Sequence, residues 1–156
     1  MPIDSAGLEV LSSDECAALL GSAALGRVVF TDRALPAVQP VTFTLVEGDV
    51  VFRAAEGSKL ATAAGSAIVA FEVDEYDADA RTGWSVVVVG PARVVRDPLE
   101  LAGLERLPLE SWAPRAVDRF VRISPRLVSG RRIPGARPRA SRRPQDSGAP
   151  SSGGVV

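Results

Sequence analysis

Apolar and β-favouring residues recur along this chain in short runs, each closed by a turn signal, and that rhythm predicts strands joined by tight connections. Gly26–Thr31 (GRVVFT) reads as a first strand, Asp32-Arg33-Ala34-Leu35-Pro36 turns the chain, and Ala37–Val46 returns as a second. Pro40 lacks an N–H for the ladder, which puts it at an edge or bulge. Glu47-Gly48-Asp49 makes a hairpin into a third strand starting at Val50, and Ala67–Val73 (AIVAFEV) is a fourth. Gly83–Arg96 (GWSVVVVGPARVVR) is the longest strand signal. Its Gly90-Pro91 pair predicts a bulge or sharp bend midway, a device that lets one strand serve two parts of a barrel. Phe120–Val128 (FVRISPRLV) reads as the last strand, and Gly130–Ile133 closes the ordered part.

Helical signals are short. Ser12 fits an N-cap with Glu15 three residues later as its capping-box partner, and Leu11 is placed to staple onto Cys16. The helix Ser13–Ala23 then carries Cys16, Leu19, Leu20 and Ala23 on one face, the pattern of a packing helix. Asp97-Pro98 with Glu100 starts another helix, running to about Arg106. Several strand pairs leave no room for a crossover helix, which disfavours a doubly wound α/β fold. The expectation is a mainly β (α+β) protein: a six-stranded antiparallel barrel with short capping helices.

The stretch Val50–Ala64, VVFRAAEGSKLATAA, is the candidate site. A strand ends near Arg53, Glu56-Gly57-Ser58 breaks it, and the alanine-rich run KLATAA is helical. A strand-to-helix corner leaves backbone N–H groups unpaired. Lys59 in the first helical turn is poorly placed for the helix dipole, so Arg53 and Lys59 are read as facing one anion, a phosphate. The same two cations also fit solvated charges on an ordinary connection, and the turn is not a Walker or Rossmann glycine pattern.

Composition narrows the chemistry. There is no histidine, which excludes Ser-His-Asp and Cys-His pairs and histidine-ligated zinc or haem. Any catalysis must lean on a cofactor. One cysteine, Cys16, cannot form an internal disulfide and reads as a buried small hydrophobe. No apolar run approaches a membrane span and no leader pattern opens the chain, so a cytoplasmic protein without membrane contact is expected. The acids from Asp74 to Asp79 read as a solvated loop, with a divalent ion as the alternative.

Residues 1–114 hold eight Lys/Arg against seventeen Asp/Glu, while residues 115–156 hold ten Arg against two acids. The domain is expected to span residues 1–136. From Arg137 onward, fourteen of twenty residues are Arg, Pro, Ser or Gly, a composition that predicts a disordered tail. Such a tail offers non-specific contact to nucleic acid, but its simpler reading is solvated chain.

Taken in order, LSSDECAALLGSAALGRVVF, PAVQPVTF, VVFRAAEGSKL, AFEVDEYDADARTGWSVVVVGPARVV and SGRRI resemble the pyridoxamine 5′-phosphate oxidase-like, flavin-binding split-barrel family, in particular its small actinobacterial members. The resemblance runs from about Leu11 to Ile133. It implies a six-stranded split barrel that forms a homodimer, with FMN, or alternatively a deazaflavin, in a groove at the subunit interface. Arg53, Ser58 and Lys59 would then hold the cofactor phosphate, and Val41 and Thr42 would line the isoalloxazine ring. Trp84 would cover the flavin or substrate pocket, its own or the partner subunit's, with Ser85 beside it, or else be a barrel-core or dimer-interface aromatic. Arg131 and Arg132 would either reach the phosphate from the C-terminal end or serve as rim charges or partner-subunit ion pairs. Thr42 stands where many relatives have Asn. The missing histidine argues against pyridoxamine phosphate as substrate. The implied activity is a flavin- or deazaflavin-dependent oxidoreductase acting on a small molecule, with a non-catalytic flavin carrier or sensor as the alternative.

Overall fold

The computed structural model describes residues 2–64, 67–109 and 118–135; the arginine-rich segment from Arg137 onward lies outside the described residues. Eight strands alternate with three short helices: β1 Glu9–Val10, α1 Ser13–Ser22, β2 Leu25–Asp32, β3 Leu35–Val46, β4 Asp49–Ala55, α2 Lys59–Ala63, β5 Ile68–Asp77, β6 Thr82–Val94, α3 Pro98–Leu104, β7 Asp118–Ile123 and β8 Leu127–Pro134. All pairings are antiparallel, in the order β1-β8-β6-β5-β2-β3-β4-β7, and a further β6–β7 pairing joins the ends. Six strands (β6, β5, β2, β3, β4 and β7) thus close a ring, and β8 with β1 extends from β6 outside it. The expected six-stranded antiparallel split barrel is the observed one.

β6 makes the closure possible. Its first part, Thr82–Val89, pairs with β8, and Ala92–Val94 pairs with β7 on the same edge. The change of neighbour falls at Gly90-Pro91, the bend expected from sequence. There the Ser124 N–H donates to the Pro91 carbonyl and the Arg126 N–H to the Val89 carbonyl, so the β7–β8 connection is bonded to the bend. A Cβ at Gly90 would collide with the Ser124 carbonyl oxygen.

Inward residues of the ring form the main core. Val28, Val50, Phe52, Phe71, Val86, Val88 and Ile123 are fully buried, and Phe43 meets Phe71 edge-to-face at 4.7 Å between centroids. Helix α1 closes one side with Cys16 and Leu20, and its Ser12–Glu15 capping box is formed in both directions. Burial pushes the Cys16 thiol above its usual range, which keeps it neutral and inert, as expected. On the outer face, Val51, Val95, Leu104, Leu109 and Phe120 make a second, smaller cluster beside α3.

Three sequence boundaries shift. The first hairpin turns on Arg33 and Ala34 alone, both at positive φ (51° and 65°), so β2 and β3 run longer than their turn residues suggest. With no Gly or Asn in it, the turn lacks its usual sequence mark. Asp74–Asp77 belong to β5 rather than to an acidic loop: Arg27 across the sheet holds Glu72 at 3.1 Å and Asp74 at 2.9 Å. Among the described residues, no three Asp, Glu, Cys or His side chains converge as a metal site would need. The run Phe120–Val128 is two strands, broken at Ser124–Arg126 where the chain crosses the β6 bend. Pro40 lies where β3 has only β2 beside it, since pairing with β4 begins at Phe43.

One buried cation ties the second cluster to the β3–β4 hairpin. Arg122 is 9% exposed; its Nε donates to Asp49 at 2.6 Å, Nη1 to Glu100 at 3.1 Å and Nη2 to the Val46 carbonyl at 3.3 Å. Arg93 donates to the same Glu100 at 2.7 Å, and these two guanidiniums, Arg93 foremost, hold the Glu100 carboxyl below the usual carboxylate range.

Two outcomes test this account. Gly90→Ala is expected to lose about 1–3 kcal/mol in urea unfolding through the forced backbone shift, whereas Gly103→Ala in α3, where a Cβ meets nothing within 4 Å, should be neutral or stabilising. Because the Glu100 pKa is depressed on folding, its contribution is complete above the unfolded carboxylate pKa and is lost as pH falls through the folded one. Glu100→Gln should therefore flatten the fall of stability below about pH 4.5, read from thermal melts across pH.

Candidate functional site

β4 ends at Ala55, and the next three residues turn the chain into α2. Gly57 adopts φ 77°, the Ser58 N–H donates to the Ala55 carbonyl at 3.1 Å, and the Ser58 hydroxyl accepts from the Ala61 N–H at 3.1 Å as N-cap. A five-residue helix is too short to stand on propensity. Leu60 and Ala64, both fully buried in the main core, hold it in place.

Lys59 points away from that anchor. Its side chain is 75% exposed and its Nζ lies 3.5 Å from Asp32 Oδ2 at the end of β2. Lys59, Asp32, Arg33, Thr31 and Gly57 line a cavity of about 410 Å³. Two cations and one carboxylate give it a net positive charge. The hydroxyl proton of Ser58 remains available, because the cap uses only a lone pair.

Arg53 faces elsewhere. Along β4, Val50, Phe52 and Ala54 point into the barrel, whereas Val51 and Arg53 point to the outer cluster. Arg53 sits opposite Phe120 of β7, its Cζ 4.7 Å from the ring centroid, and its Nη1 donates to the Leu109 carbonyl at 3.0 Å. Its Nε is buried and has no partner among the described residues. Arg53 and Lys59, expected to face one spot, thus have separate neighbours: Phe120 and Leu109 for Arg53, Asp32 for Lys59.

The other sequence candidates occupy two further places. Val41 is buried opposite Gly26, and Thr42 is half-buried opposite Leu25, one register position beyond the last β3–β4 pair. Trp84 and Ser85 lie early in β6 between Glu75 and Asp74 of β5 and Arg132 and Arg131 of β8. Trp84 walls a groove of about 420 Å³ with Glu75, Asp77 and Arg132. Arg131 and Arg132 bind the N-terminal segment instead of reaching the Lys59 corner: Arg131 donates to Asp4 at 2.7 Å, and Arg132 lies 3.6 Å from Glu15 and 3.8 Å from Glu9. Sequence reasoning missed Asp32 and Arg33 at the corner. They stand in a turn more than twenty residues earlier, and only the return of α2 onto β2 brings them to Lys59.

The two cations should separate in stability measurements. Lys59→Ala is expected to change thermal stability little, since an exposed pair is worth about 0–1 kcal/mol. Arg53→Ala should cost about 1–3 kcal/mol through the lost hydrogen bond and ring contact.

Residues 12–132 match the family model described as pyridoxamine 5′-phosphate oxidase. An uncharacterized protein of Mycobacterium tuberculosis is 44% identical over 128 residues, 79% of this chain and 84% of that protein. Among solved structures, an FAD binding protein from Mycobacterium smegmatis is 42% identical with a TM-score of 0.72, over 80% of this chain and 98% of that one. An FAD-binding protein from Mesorhizobium loti is 26% identical with a TM-score of 0.66, over 81% and 98%. With the closed six-stranded ring and a family match spanning almost all of the described residues, the chain belongs to the pyridoxamine 5′-phosphate oxidase family.

Proposed function

We propose that this chain is a flavin- or deazaflavin-dependent oxidoreductase acting on a small molecule, and that the cofactor phosphate binds at the Ser58–Lys59 corner. The observation that carries this reading is Lys59 itself: largely exposed, walling a cavity beside Arg33, and held by a single carboxylate at 3.5 Å. A dianion accepts charge-assisted hydrogen bonds from two cations and the Ser58 hydroxyl, and it outcompetes the single negative charge of Asp32, which Lys59 meets only at 3.5 Å. The FAD-binding proteins of M. smegmatis and M. loti support a flavin. FMN is the cofactor expected from sequence, a deazaflavin the alternative, and these two relatives extend the range to FAD.

The cofactor, when bound, supplies the hydride chemistry. Lys59, Arg33 and Ser58 fix its phosphate, and Val41 and Thr42 are the proposed ring-lining positions. Arg53 orders the strand that carries the corner, a role that follows from its contacts with Phe120 and Leu109.

A homodimer is part of the proposal. Trp84 and Val94 are ten residues apart on β6, about 33 Å of extended strand before the bend at Gly90 is counted. Val94 lies beside the α2 corner and Trp84 stands ten residues away along β6, a separation that supports Trp84 covering the partner subunit's cofactor.

The protein as purified should be yellow, or should take up FMN, FAD or a deazaflavin with micromolar affinity or better in absorbance and fluorescence titrations. Lys59→Ala is expected to weaken that binding at least tenfold with thermal stability kept. Unchanged affinity would remove Lys59 from the site. Reduction of an acceptor panel with NADPH or reduced deazaflavin distinguishes the oxidoreductase from a carrier or sensor, which would bind without turnover.

A further inference from the structure

On the other side of α2 from Lys59 lies a second cavity of about 260 Å³. Gly57 and Thr62 line both cavities, so the 57–62 corner is the wall between them. The second is completed by Ala61, Val94, Arg96 and Arg119, with Glu56 at its edge. Its charge repeats that of the first: two cations and one carboxylate. We propose that Arg96 and Arg119 form a second anion subsite that takes a phosphate group distinct from the one at Lys59; the identity of its ligand rests on the flavin reading, the subsite itself does not.

The strand register explains why these arginines meet. β6 and β7 pair with Val94 opposite Val121, and the Val95 N–H then donates to the Phe120 carbonyl. β6 ends at Val94, and Arg96 follows two residues later, on the side of the cavity where β7 begins with Asp118-Arg119. Both arginines line the cavity together with Val94, away from the outer cluster that holds Val95 and Phe120. Like charges brought to one cavity are unfavourable without something between them.

Protein groups neutralise this pair only in part. Arg119 Nη2 donates to Glu56 at 2.7 Å, but both side chains are about half exposed and Glu56 is in the turn after β4. Among the described residues, Arg96 has no carboxylate within 4.0 Å. A phosphate offers planar guanidiniums the bidentate geometry they favour, and Val94 with Ala61 excludes water from one side. The shared wall leaves room, since a Cβ at Gly57 would meet nothing within 4 Å.

Two sources present this chemistry: a separate phosphorylated small molecule, or a flavin dinucleotide whose two phosphates, joined through one oxygen, would have to straddle the wall at Gly57, where no side chain stands between the cavities. Titration of the flavin-free chain with inorganic phosphate, followed by amide NMR shifts, is expected to give two responding groups of residues, one around Asp32–Arg33 and Lys59, the other around Val94–Arg96 and Arg119. Arg96→Gln and Arg119→Gln should each abolish the second response and leave the first, and Glu56→Gln should strengthen the second. With a dinucleotide as the source, Arg96→Gln raises the FAD dissociation constant at least tenfold and leaves that for FMN unchanged. With a separate ligand, the FMN-loaded protein still binds phosphate at the second site and loses it in Arg96→Gln. Shifts confined to the Lys59 group, or phosphate and FAD affinities untouched by both arginine variants, would overturn the subsite. Phosphate shifts at Arg96 in a chain that binds no flavin would sink the flavin reading while the subsite stands.

Discussion

The barrel closes because one strand changes partners. β6 gives its edge first to β8 and then to β7, and the exchange needs a backbone without a side chain at Gly90, where the Ser124 carbonyl passes through the space a Cβ would fill. The β7–β8 crossing is hydrogen-bonded to Pro91 and Val89, so the bend and the crossing fix each other. With that contact in place, the ring encloses Phe43, Phe52 and Phe71, and β4 is held between β3 and β7. Without it, β7 would lose its second neighbour and the sheet would be open.

Closure also fixes where charge is presented. β4 ends at Ala55, and the chain reverses through Gly57 into a helix too short to persist alone. Leu60 and Ala64 supply the burial that keeps it. Every residue of the corner that is not anchored therefore faces outward, Lys59 and Thr62 among them. The end of the first hairpin approaches from one side with Asp32 and Arg33, and the ends of β6 and β7 from the other with Arg96 and Arg119.

Two physical kinds stand out among the basic residues. Arg122, Arg27 and Arg131 are saturated by carboxylates within the fold: Arg122 by Asp49 and Glu100, Arg27 by Glu72 and Asp74, Arg131 by Asp4. They join segments distant in sequence. Arg33, Lys59 and Arg96 are unlike them, since around the α2 corner the described carboxylates are fewer than the cations. That imbalance, more than the number of basic residues, marks the corner as a place for anionic ligands.

Local patterns in the sequence, though not enough for β1 or for the break between β7 and β8, were enough for the six strands of the ring, the Ser12–Glu15 capping box, the Asp97-Pro98 helix start, the Gly90-Pro91 bend and the strand–turn–helix corner. Each depends on backbone geometry within a few residues, which composition at those positions dictates. The turn at Arg33-Ala34 was not legible, because its positive φ angles are imposed on residues that do not advertise them. Nor was the true length of β5, whose acids look like loop until Arg27 of a neighbouring strand pairs with them. The partners of Lys59 and the direction of Arg53 were decided only by tertiary structure. A side chain's face along a strand follows from parity, but which faces turn inward and which distant residues meet them depend on how the ring closes, a property no single segment carries.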